Sequence, residues 1–161
     1  MKEFKTKENL INFLYIFGSI VPLSYYLSYR YFKNDVPIKY LWGNIDKGLQ
    51  KFYTFSMIMT TISFLAIIVF IQNVVNDDTE IFGKKFKNDG FYYYFQPLAL
   101  IILPSIIWMP ITYLYLKKPN ILWRYAIVAI LATVALGGCL LMYALQNTNY
   151  KTLINNNLHS Y

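Results

Sequence analysis

The chain is poor in the residues that carry most protein chemistry. Its 161 residues include one histidine and one cysteine. His159 is followed only by Ser160 and Tyr161, which leaves no imidazole pair for haem, no His-rich metal centre and no serine–histidine couple within the apolar body. Cys139 stands alone, so neither an intrachain disulfide nor Cys-x-x-Cys exchange is available. There is no Gly-x-Ser-x-Gly elbow and no Walker-type phosphate loop. Asp77, Asp78 and Glu80 lack EF-hand spacing. Charged residues make up 14% of the chain, against about 25% in soluble domains. From these absences we expect no catalytic residues, no metal site, no cofactor and no enzymatic activity.

What the chain has in quantity is apolar length. Hydrophobic residues make up 57% and mean hydropathy is +0.34. Four stretches, about 10–29, 53–75, 93–116 and 121–145, have no charged residue in their middle. A helix of about 20 residues crosses the roughly 30 Å of bilayer hydrocarbon. The expected fold is therefore all-α: a polytopic membrane protein with four transmembrane helices in a bundle, residues 1–161 forming a single membrane domain. Lys2, Lys5 and Lys7 before Leu10–Pro22 look like the start of a signal peptide. The apolar run is too long for one and no small-x-small site follows, so we expect a retained first helix. Proton pumps and ion exchangers usually carry ionisable groups at membrane depth, and none is present here.

Net charge is +7 and the pI about 9.4. The cations lie in short loops beside the apolar stretches, which suits anionic lipid head groups; nucleic acid is not an expected partner. Tyr25, Tyr26, Tyr29 and Tyr31 close the first stretch, and Phe91–Phe95 open the third, as an interfacial aromatic belt would. Loops one and three hold eight Lys and Arg; the termini and loop two hold seven. This small excess leans towards placing loops one and three in the cytoplasm.

Each connector and stretch carries a further signal. Ile38, Leu41, Trp42, Ile45, Leu49 and Phe52 recur at helical spacing, which predicts an interfacial amphipathic helix over about 38–52. Trp42, Arg30 and Arg124 are the expected interfacial anchors. In the second stretch Ser56, Thr60 and Ser63 share a face; with Ser105 and Thr112 they form a candidate polar path, or simply packing contacts. Residues 76–90 read as a solvated loop, and the tail from Gln146 as polar and mobile. The third stretch holds Pro97, Pro104 and Pro110, the first expected in the opening turn and the others as kinks. Lys117–Asn120 is short enough only for an antiparallel hairpin. In the fourth, Ala126, Ala129, Thr133 and Gly137 form a small-residue stripe for helix packing, against a neighbouring helix or a partner chain. Cys139 is expected as a small buried filler.

Tyr40-Leu41-Trp42-Gly43, Tyr53–Met57 and Leu103–Pro110, in this order and spacing, resemble stretches of small four-span membrane proteins of protists and large DNA viruses. The resemblance implies a fold and no activity. The function expected from all of this is structural or accessory: packing against membrane lipids, partner membrane proteins or a second copy. The alternative is a small channel or carrier for a neutral or lipid-like solute.

Overall fold

The computed structural model describes residues 6–36, 40–41 and 45–149. Four helices of near-equal length dominate: α1 (Lys7–Phe32), α2 (Lys47–Asn73), α3 (Phe91–Lys117) and α4 (Ile121–Gln146). At 1.5 Å per residue each is about 40 Å long. All four are long and apolar enough to cross a membrane, and they pack as an all-α four-helix bundle, consistent with a multi-pass membrane protein.

Side-chain caps set three of the four starts. Thr6 accepts from the Asn9 amide at 3.3 Å, Asp46 from Gly48 at 2.8 Å and Asn120 from Leu122 at 3.0 Å, each satisfying a backbone donor orphaned at a helix N-terminus. The Asp46 cap moves one boundary. Lys47–Phe52, expected as the end of an interfacial helix, are the first turns of α2. Residues 37–39 and 42–44, including Trp42, lie outside the described residues.

Pro97 also sits deeper than expected. α3 begins at Phe91, fed by a π-helical turn over Phe86–Gly90. Pro97 is thus in the second turn, and its missing N–H leaves the Tyr93 carbonyl without its helical donor. The helix continues through Pro104 and Pro110.

The principal core lies at the end of the bundle that holds residue 7, loop two and the end of α4. Leu10 and Leu14 of α1, Ile71 of α2 and Val75 just after it, and Tyr94 and Leu98 of α3 are buried together there. Loop two closes over them as folded structure. Its strands β1 (Glu80–Ile81) and β2 (Lys84–Lys85) are antiparallel. The turn between them is Phe82–Gly83, with φ of 53° and 71°, both positive as in the type I′ hairpin turn. The chain leaving α4 adds to this hairpin: Asn149 N–H donates to the Glu80 carbonyl at 2.8 Å, and Ile81 bridges Thr148. Residues 147–149, expected as the start of a mobile tail, are therefore part of the cap.

Helix contacts are uneven. α3 and α4 form the most extensive pair, α1 packs along α3, and α2 touches its neighbours least.

Candidate functional site

Chemistry-bearing residues are sparse in this fold, so any site must be sought in its packing surfaces and its two ends. The tightest surface is the α3–α4 seam. Gly137 is buried there, and a Cβ on it would lie 2.9 Å from both the Pro97 carbonyl oxygen and Ile101 Cγ1. Ala126 and Thr133 are half-buried with it, while Ala129 is exposed. Thr133 donates to the Ala129 carbonyl at 2.8 Å. The buried residues of α4 are Ile130, Gly137, Leu141 and Ala144, so larger side chains complete the seam between the small ones. Cys139, expected inside, is exposed, because it falls on the α4 face away from α3.

The hydroxyl residues are not gathered into one lined channel. Thr60 and Ser63 of α2 are exposed and Ser56 is half-buried. Ser56 donates to Phe52 O at 2.9 Å and Thr60 to Ser56 O at 2.8 Å. On α3, Ser105 and Thr112 are half-buried, donating to Ile101 O at 2.6 Å and to Trp108 O at 2.8 Å. Four of these five hydroxyls thus bond back to their own helix, the arrangement that lets a polar side chain sit in an apolar medium at least cost.

α2 carries the longest run without a buried residue among the described residues. From Lys47 to Ser63 no residue is buried, and only Gln50 and Ser56 are even half-buried. Burial begins beyond Phe64, with Ile68 and Ile71 in the principal core. Gln72 Nε2 donates to the Tyr15 hydroxyl, tying this end of α2 to α1. About 25 Å of apolar helix, at the usual rise per residue, is left without a neighbour of its own length.

At the end formed by loops one and three, α1 and α3 meet through aromatic rings. Phe32 stacks on Tyr113 with centroids 5.2 Å apart and planes 9° from parallel, and Tyr25 lies 5.7 Å from Trp108. Trp108 Nε1 and the Tyr113 hydroxyl are buried without a partner among the described residues. Asp35 and Lys117 join the two helices in a hydrogen-bonded ion pair. The sequence did not single out this pair. The one available signal was that both residues follow the ends of spans on the same side. Arg30 and Arg124 are exposed at this end. A shallow cleft of about 600 Å³ runs over the last turns of α1, lined by Leu27, Ser28, Arg30, Tyr31 and Phe32. A second, apolar groove of about 480 Å³ lies between α3 and α4, with Gln96, Leu103, Pro104 and Leu140 in its wall. Among the described residues no group of three His, Cys, Asp or Glu is placed to hold a metal ion.

Comparison of the chain with protein-family models, with curated proteins and with solved structures yields no match.

Proposed function

We propose that this is an integral, multi-pass membrane protein with a structural or accessory role, in which α1, α3 and α4 form the scaffold and α2 presents a face to partner membrane proteins, a second copy or lipid. The observation that carries this is the unburied run from Lys47 to Ser63 on a helix long and apolar enough to span. Small residues along it, Thr60, Thr61, Ser63 and Ala66, are the kind that let helix backbones approach closely in a membrane. The reading is non-enzymatic, supported by the lone histidine and lone cysteine of the sequence and by the lack, among the described residues, of a group of His, Cys, Asp or Glu placed to hold a metal ion.

Thr61→Phe and Ala66→Phe test this. Both positions are exposed, so added apolar bulk leaves the fold intact and collides only with something outside the chain. The expected result is a smaller assembly in native-lipid nanodiscs with thermal unfolding unchanged. A wild-type protein that already runs as one copy, unaltered by either substitution, would overturn the partner-packing role.

A carrier for a neutral or lipid-like solute is the alternative. Reconstituted vesicles separate the two: solute movement above protein-free vesicles selects the carrier, and its absence leaves the structural role standing.

A further inference from the structure

The two ends of the bundle differ in charge more than the whole-chain value suggests. In the sequence, loops one and three hold eight Lys and Arg against two carboxylates, a net of +6. The termini and loop two hold seven against six, a net of +1. The pairing differs as well. At the opposite end Lys85 bonds Asp78 at 3.0 Å, and Lys84 lies 3.8 Å from Asp89. At the basic end both carboxylates are committed: Asp35 to Lys117, and Asp46 to the Gly48 amide as the α2 cap. Arg30, Lys33, Lys47, Lys51, Lys118 and Arg124 are exposed and have no carboxylate partner among the described residues.

This unneutralised charge sits where the apolar surface is most open. The Arg30 cleft lies over the last turns of α1, and exposed Leu23, Leu27 and Tyr31 continue along the same helix. The first turns of α2, with exposed Phe52, Phe55 and Ile58 above Lys47 and Lys51, belong to the same end. The apolar length and the cations together match an amphiphile with an anionic head. A protein partner would satisfy the apolar length but would need its own acidic edge at the same depth. An anionic phospholipid has both by construction, and each Lys or Arg near the head-group plane contributes to its retention.

We propose that the loop-one and loop-three end is a binding site for an anionic phospholipid, its phosphate held by Arg30 and neighbouring cations and its acyl chains lying along α1 and the open half of α2. This deepens the structural role above by naming the lipid class, and it rests on that reading of α2 as an open face.

The test is native mass spectrometry of the purified full-length protein with added phosphatidylglycerol or phosphatidylcholine, which counts protein copies and bound lipids separately. The wild type is expected to retain phosphatidylglycerol in preference to phosphatidylcholine, less so as salt is raised. The triple variant Arg30→Gln, Lys33→Gln, Lys51→Gln is expected to weaken that retention about tenfold or more. The control Lys84→Gln, Lys85→Gln, Lys87→Gln, at the opposite end, is expected to keep it. Equal retention of both lipids, an unaffected first triple variant, or equal loss in both would overturn the site. A wild type that is a dimer and retains no lipid would also overturn it while leaving the partner-packing role intact. A single copy that retains phosphatidylglycerol supports the lipid site even if the protein-partner role fails.

Discussion

Gly137 and Gly138 are adjacent, yet their surroundings are opposite. A Cβ at Gly137 meets the Pro97 carbonyl at 2.9 Å and Leu100 Cβ at 3.0 Å, while at Gly138 nothing lies within 4 Å. Gly137→Leu is therefore expected to cost about 1–3 kcal/mol, the range for overpacking a close contact, and Gly138→Ala to leave thermal unfolding in detergent unchanged. Equal effects at the two positions would refute the seam as described. Tyr113 makes a different residue-scale point. Its ring is stacked on Phe32, but its hydroxyl is buried without a described partner, and an unmade buried hydrogen bond costs about 1–3 kcal/mol. Tyr113→Phe keeps the ring and removes that cost, so the melting temperature is expected to hold or rise. A fall would contradict an unbonded hydroxyl.

Among the elements, the loop-two cap departs most from what its composition suggests. Its turn forces Phe82 to a φ of 53°, a left-handed conformation that costs a non-glycine residue about 1–2 kcal/mol. The ring offsets this by packing between Tyr93 and Tyr143, at centroid distances of 4.7 and 5.0 Å, since aromatic pairs contribute about 0.5–1.5 kcal/mol each. Gly83 has a φ of 71° with open space around it, so only backbone strain opposes a side chain there. Gly83→Val is expected to destabilise the hairpin by about 1–2 kcal/mol, read as faster amide exchange at Phe82 and Asn149. Thr148 locks the cap to α3: its hydroxyl is 2.9 Å from that of Tyr94 and is buried. Thr148→Val should loosen the same amides, whereas Thr133→Val, far along α4 and bonded only to its own helix, should not.

For the molecule as a whole, charge asymmetry bears on orientation. Over the whole sequence loops one and three hold eight Lys and Arg, and the termini and loop two hold seven. The excess of cations in short loops marks the cytoplasmic side, so loops one and three are expected to face the cytoplasm. In a chain freed of its one thiol by Cys139→Ala, Lys118→Cys should then be labelled by an impermeant thiol reagent only after the membrane is opened, and Lys87→Cys before. The reverse pattern would invert the orientation. Cys139 is exposed on α4, so its removal is expected to be silent.

The four spans were legible in the sequence because uninterrupted apolar length is a local property: twenty residues without charge have few other places to go than hydrocarbon or a core. The α3–α4 hairpin followed from a connector too short for any other path. Periodicity over 38–52 could not reveal that Asp46 would cap a helix at Lys47, because a capping side chain and a face of apolar residues are compatible with either boundary. Nor could composition distinguish a solvated loop from the hairpin that residues 80–85 form, since the end of α4 that pairs with it lies more than sixty residues further along the chain. Sequence alone thus settled which segments are apolar helices and which groups are missing from them. Tertiary structure decided which faces those helices cover, and it left the first seventeen residues of α2 uncovered and the basic end unneutralised. Pairing of faces and of charges depends on residues far apart in the chain, and no local pattern records it.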